Sequence, residues 1–170
     1  MGLPAILKNF TLFLDGTNYI GQIGEVGLGK IAEKVESIRP GGLLGEIDVA
    51  MGLEKFEVEM KFAGLVEQVL RQFGAIGVAG TLLRFVGAYQ EDVEGGVKPA
   101  ELVVRGRIPE IDPGTAKPGD KTEWTVKLTG VYVKWTVSGI VQLEIDWLNC
   151  IYIVGGVDRY AEIRAALGMN

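Results

Sequence analysis

Between Val141 and Asp158 the chain reads VQLEIDWLNCIYIVGGVD, and this stretch limits the possible folds more than any other. Val141, Leu143, Ile145 and Trp147 alternate with Gln142, Glu144 and Asp146, the period of a strand with one buried face. Beyond Asn149 the polar partners disappear, and Cys150, Ile151, Tyr152, Ile153 and Val154 offer apolar groups to both sides. Read as one strand over residues 141–154, it starts with one wet face and ends with none. Its second face then needs cover, from this chain or from another copy of it.

The rest of the sequence supplies little catalytic equipment. There is no histidine, which removes His-based triads, His metal sites and the usual proton shuttle. Cys150 is the single cysteine, so neither an intrachain disulfide nor a cysteine-based zinc site can form, and its apolar surroundings favour a small buried hydrophobe over a reactive thiol. The 22 acidic against 17 basic residues give −5, a balance unsuited to tight phosphate binding but compatible with repelling nucleic acid. At 170 residues a single domain over the whole chain, 1–170, can bury a proper core without staples. Hydrophobic residues make up 48%, enough to expect apolar surface buried between copies. No apolar run approaches the roughly 20 residues of a membrane-spanning helix, so no membrane insertion is expected. The start, MGLPAILKNF, lacks the features of a signal peptide, and Ile6 stands where a myristoylation signal wants Ser or Thr. Synthesis in a cytoplasm is the expectation.

The pattern is mainly β. Residues 5–14 lead into the turn pair Asp15-Gly16 and then 19–28. Over 54–62, Phe56, Val58, Met60 and Phe62 take one face and Lys55, Glu57, Glu59 and Lys61 the other. Further strands are predicted over 81–89, 100–108 and 123–137. Gly130 should mark a bulge, because the apolar face switches there from Trp124, Val126 and Leu128 to Val131, Val133, Trp135 and Val137. Ser138-Gly139 then turns the chain. One flanking helix is predicted over 65–73, with Leu65, Val66, Val69, Leu70 and Phe73 as its apolar stripe, a Glu67–Arg71 pair and Gly74 at its end. A short helix over 159–167 should follow Asp158 as N-cap and stop at Gly168. Two long loops are expected. Residues 36–53 carry too many large apolar groups for a solvent loop, and read as an oily flap that docks on a neighbour. Residues 109–122, rich in Pro and Gly, read as an exposed projection.

Each candidate for chemistry has a plainer explanation. Glu110/Asp112 and Glu144/Asp146 share a strand face and could imitate a glycosidase pair, but acids at alternate positions usually make a solvated face. Asp112, Asp120 and Glu123 are too scattered among prolines and lysines for a metal loop. The glycine-rich stretches 24–29, 40–45 and 155–156 lack the setting of a phosphate loop. Arg105-Gly106-Arg107 is a small basic spot suited to ion pairing within or between subunits. Trp124, Tyr132, Trp135, Trp147 and Tyr152 suit packing better than a ligand platform. No catalytic residue, metal site or cofactor is expected.

In their order and spacing, the pieces resemble the major tail tube protein family of contractile-tailed bacteriophages, which R-type tail-like bacteriocins also use. The residues that carry this are Phe13-Leu14-Asp15-Gly16, Gly52-Leu53-Glu54 leading into the strand through Phe62, and Arg84-Phe85-Val86-Gly87-Ala88-Tyr89-Gln90. Arg105-Gly106-Arg107 with Glu110-Ile111-Asp112 follows, then Leu143-Glu144-Ile145-Asp146 with Asn149, Ile151 and Gly156-Val157-Asp158. The likeness covers nearly the whole chain.

The resemblance implies a β-sandwich or barrel-like subunit with a flanking helix. Six copies would close into a ring with a continuous inner β-barrel, and stacked rings would form the tube through which DNA leaves the virion. Partners would be further copies of the chain and the sheath, baseplate and terminator proteins, with DNA passing unbound. On this view Leu43, Leu44, Ile47 and Met51 are inter-ring contacts, and Glu57, Glu59, Glu144 and Asp146 are candidates to line the lumen. A ring would carry 6 × −5 = −30. A tube protein of a bacteriocin or secretion machine, a ligand-binding β-barrel and a tail-tip glycan hydrolase are the alternatives.

Overall fold

The computed structural model describes residues 2–169. In chain order the strands are β1 (Ile6–Leu14), β2 (Thr17–Asn18), β3 (Ile23–Gly27), β4 (Glu33–Ile38), β5 (Ile47–Leu53) and β6 (Phe56–Phe62). Helix α1 (Glu67–Gln72) precedes β7 (Thr81–Gln90), β8 (Val97–Asp112), β9 (Trp124–Val137), β10 (Ile140–Asp146), β11 (Ile151–Val154) and β12 (Val157–Asp158), and α2 (Ala161–Ala166) ends the fold. Ten strands form one antiparallel sheet in the order β12-β11-β10-β9-β8-β7-β1-β2, with β6 also on β9 and β3 on β6. β9 is the pivot. One edge pairs with β8 along its length; the other pairs first with β6 and then with β10.

The sheet encloses one core. Phe56, Val58, Met60 and Phe62 are buried as their alternation requires, and they meet Leu12, Leu14, Leu83, Phe85, Leu102, Val104, Val126, Leu128 and Val133. Two hairpin turns follow directly from sequence. Asp15 and Gly16 have φ of 47° and 81°, and Ser138 and Gly139 have 51° and 80°. These are the left-handed pairs whose twist suits two-residue hairpins. Asp15 also accepts a bond from the Leu82 amide at 2.8 Å, which ties the first turn to β7.

The bulge falls where the apolar face switches. Arg105 lies opposite Tyr132 but Gly106 opposite Gly130, which leaves Val131 as the extra residue. A Cβ on Gly106 would stand 2.0 Å from the Thr129 carbonyl oxygen, and one on Gly130 2.8 Å from Val104 Cγ1. Only glycines let these strands approach so closely. The freed Val131 carbonyl accepts the Trp147 amide at 3.0 Å.

Several expectations are corrected. Residues 141–154 are a hairpin, not one strand, because the Asp146 carboxylate gathers the turn. It accepts from the Leu148 amide at 3.0 Å, the Asn149 amide at 3.2 Å and Asn149 Nδ2 at 2.7 Å. Cys150 closes this turn at φ 55° and is half-buried there rather than sunk in a core. The 19–28 strand is broken after Tyr19 by a turn through Gly21, and β3 begins only at Ile23. β8 runs on through Asp112, so the projection shrinks to residues 113–123; a register shift between Arg107 and Glu110 accommodates Pro109, which has no amide to give. Helix α1 spans only Glu67–Gln72 of the predicted 65–73, and of the apolar stripe only Val66 and Val69 are buried while Leu65, Leu70 and Phe73 are exposed. The short C-terminal helix expected over 159–167 is present as α2. Its N-cap is Tyr160, not Asp158. Asp158 instead accepts from the Tyr160 amide and holds Arg164, whose guanidinium also donates to the Cys150 carbonyl at 3.0 Å.

Candidate functional site: an apolar arm and a charged sheet face

The 36–53 segment is not a loop but most of a separate two-stranded sheet. β4 and β5 pair from Glu33↔Leu53 to Ile38↔Ile47, forming an arm with its tip at residues 39–46. An isolated hairpin is marginal in water, and this one exposes its apolar groups. Leu44 is fully exposed (101%), and Leu43, Ile47 and Met51 are 45%, 47% and 56% exposed, beside Val35 and Ile38. Both roots pass through left-handed glycines, Gly29 at φ 87° and Gly52 at φ 103°.

The arm touches the body at its root. The Tyr152 hydroxyl donates to Glu33 Oε1 at 3.2 Å, and the Glu54 amide bonds the Ala32 carbonyl. Burial first, and then the Glu33 carboxylate, raise the Tyr152 hydroxyl above the ordinary phenol value. An open groove of about 850 Å³ lies between this root and the C-terminal hairpin, lined by Met51, Leu53, Trp147, Tyr152 and Ile163 among others. This groove is what the doubly apolar β11 faces.

The four carboxylates proposed for a lumen are brought onto one face of the sheet. Glu57 lies opposite Thr129 and Glu59 opposite Lys127; Glu144 lies opposite Lys134 and Asp146 opposite Tyr132. All four strand neighbours are on the side of β9 away from the core, and the bulge at Val131 keeps them so across both halves of the strand. The face is not simply acidic. Lys55 reaches Glu57 at 3.2 Å, Lys127 reaches Glu110 at 3.8 Å, Lys61 lies between Glu25 (3.7 Å) and Glu123 (3.8 Å), and Arg84 binds Glu101 at 3.1 Å. Burial first, and then the Glu144 carboxylate, raise the Tyr132 hydroxyl above the ordinary phenol value. Asp146 is occupied by its own turn, a role the sequence reading missed although an Asp three residues before an Asn inside an apolar run is a turn signal.

The candidate carboxylates are engaged by local partners. Glu110 is tied to Lys127, and Asp112 accepts the Gly114 amide at 2.9 Å. Among the described residues no three His, Cys, Asp or Glu side chains converge to hold a metal ion. Trp124 is buried, Trp135 and Trp147 pack against the core, and Trp147 lies 6.3 Å from Phe56 between ring centres. No described helix is long and apolar enough to cross a membrane.

The fold is shared with components of contractile injection systems. The subunits solved in an extracellular system's sheath/tube terminator match with a TM-score of 0.58 over 79% of this chain and 97% of theirs, at 9% identity. Those of the sheath–tube complex match at 0.56 over 78% and 91%, at 10% identity. A chain of the anti-feeding prophage baseplate also matches at 0.56, over 80% and 97%, at 12% identity. In sequence, the profile of phage tail tube protein FII spans residues 4–168. The tail tube protein of Escherichia phage P2 is 36% identical over 99% of this chain and all of its own length, and the major tail tube protein of Serratia phage KSP20 is 40% identical over 100% and 99%. The chain belongs to the phage tail tube protein FII family, the tail tube proteins of contractile-tailed phages, and is a virion tail component.

Proposed function

We propose that this chain is a purely structural subunit that closes into six-membered rings, stacked as the inner tube through which DNA leaves the virion. The observation that carries the reading is the arm. Leu43, Leu44, Ile47 and Met51 are apolar and exposed on a hairpin too small to stand alone, and a neighbouring copy is the partner that a tube subunit always has at hand. Repeated head-to-tail contacts of this kind extend into filaments. Both ends of the sheet path are two-residue strands, β2 and β12, and β2 leaves most of the β1 edge free for pairing between copies.

In this reading the β6 and β10 part of the outer sheet face, with Glu57, Glu59 and Glu144, lines the bore, and its charges repel or ignore phosphate rather than bind it, while the β7–β8 part of that face turns to a neighbouring copy. Asp146 contributes to the same face while holding its turn. Sheath, baseplate and terminator proteins meet the tube from outside and at its ends. Electron microscopy of the purified protein is the direct test. Hollow tubes with six-fold rings of uniform bore are expected; monomers at every concentration and salt condition would overturn the reading.

A further inference from the structure

Arg105 and Arg107 differ from the other cations on the outer face. Lys61, Arg84 and Lys127 each have a carboxylate within 4.0 Å, and Lys134 faces Glu144 across the strands. Among the described residues neither Arg105 nor Arg107 forms an ion pair, and both are exposed. Their cross-strand neighbours are Leu82 and Tyr132 for Arg105 and Thr129 for Arg107, none of them anionic near neutral pH. The two side chains leave the same face of β8 two residues apart, about 6.6 Å along the strand. Gly106 between them is wedged against the Thr129 carbonyl, so their spacing is fixed by the backbone. A fixed, exposed pair of guanidiniums is a ready receiver for carboxylates.

The complementary charge is on the arm. Between Glu33 and Leu53 stand Glu33, Glu36, Glu46 and Asp48 against Lys34 and Arg39, giving −4 + 2 = −2. Glu33 is taken by Tyr152, and Asp48 accepts the Ser37 hydroxyl at 2.7 Å. Glu36 and Glu46 are exposed and have no side-chain partner among the described residues. We propose that Arg105 and Arg107 form an ion-paired receiver between copies of this chain, taking Glu36 and Glu46 from a neighbour's arm. The inference rests on the polymerising subunit proposed above and names a second contact of its arm, set by charge where Leu43 and Leu44 act by apolar burial. DNA phosphate is the weaker partner for this pair. A strong phosphate receiver repeated along a conduit would retard the strand that must pass.

The test reverses the charges and then restores them. The R105E/R107E protein should keep the circular dichroism and melting temperature of the wild type, since both side chains are exposed. Its critical concentration for tube formation should rise at least about tenfold, the scale of close charge pairs across an interface. Adding E36R/E46R to the same chain should bring it back to within about threefold of wild type. Should R105E/R107E prove unfolded, R105Q/R107Q removes the charge without reversal and should show a smaller loss in the same direction, greatest at low salt. Polymerisation of either folded variant like wild type at low salt overturns the proposal. So does a loss that E36R/E46R leaves uncorrected, because the receiver then serves another group. Normal assembly together with a changed affinity for labelled double-stranded DNA also overturns it and assigns the pair to nucleic acid. Wild-type chains that never polymerise would sink the tube reading itself, a result distinguishable from all of these.

Discussion

Replacing Leu43 and Leu44 with Ser isolates the arm's role in polymerisation. Complete burial of an exposed leucine contributes about 1.5–3 kcal/mol. Leu44 is fully exposed in the free subunit and can gain all of this, whereas Leu43, at 45% exposure, can gain about half. Together they should contribute about 2–4.5 kcal/mol per arm contact before ordering costs. At a factor of ten per 1.4 kcal/mol, the critical concentration should rise by about 30-fold to about 1,000-fold. Pelleting across a concentration series measures this, and scanning calorimetry of the unpolymerised protein supplies the control. Since neither side chain is buried in the single subunit, its melting temperature should hold within about 2 °C. Tubes forming at the wild-type concentration would refute the arm as a polymer contact. A large fall in melting temperature would show instead that the leucines stabilise the subunit itself.

Gly106→Ala should cost about 3 kcal/mol or more, read as a melting temperature lowered by roughly 6–12 °C, because its Cβ would meet a backbone carbonyl at 2.0 Å that cannot move without breaking the β8–β9 ladder. The bond from Arg164, followed by the Tyr160 amide, holds the Asp158 carboxyl below its ordinary value. A depressed folded-state value makes the stabilisation present above the ordinary carboxylate range and lost as pH falls through the lowered one. D158N should therefore flatten melting temperature against pH in the acid range, and an unchanged pH profile would remove the clamp from the account. For the bore, E59K/E144K should leave assembly intact and slow DNA ejection, most at low salt; unchanged ejection from tubes carrying both would exclude this face from the lumen.

Where one face of a strand is buried and the other wet, the fold was legible residue by residue. Phe56 to Phe62 alternate without exception and the structure buries that set. The two hairpin turns and the bulge were legible too, because Asp15-Gly16, Ser138-Gly139 and Gly130 are positions where backbone geometry selects the residue. Legibility failed where side chains contact backbone inside an apolar run. Asp146 makes a turn of residues 147–150, but the loss of polar partners beyond Asn149 reads equally well as one strand that becomes covered on both faces. It failed again at the arm. Val35, Ile38, Ile47 and Met51 are strand formers, yet neither face is buried within the subunit, so no alternation separates an inside from an outside.

The same physics explains why the candidate surfaces were only half readable. Exposed apolar residues at 43, 44, 47 and 51 signal a partner from composition alone, since water does not tolerate them in quantity. Charge needs the register as well. Lys55 and Lys61 already mark the Glu57/Glu59 face as mixed, but sequence shows neighbours along a strand and not those across it. Pairing with β8 and β9 sets Lys127 beside Glu59 and Glu110, and Lys134 beside Glu144. Cations held between carboxylates present little net field to a passing phosphate, so this face can avoid adhesion through lateral pairing as well as through surplus negative charge. Arg105 and Arg107 break that rule. Only the cross-strand register, with Leu82, Tyr132 and Thr129 as their neighbours, shows that no acid stands directly across from them within the subunit.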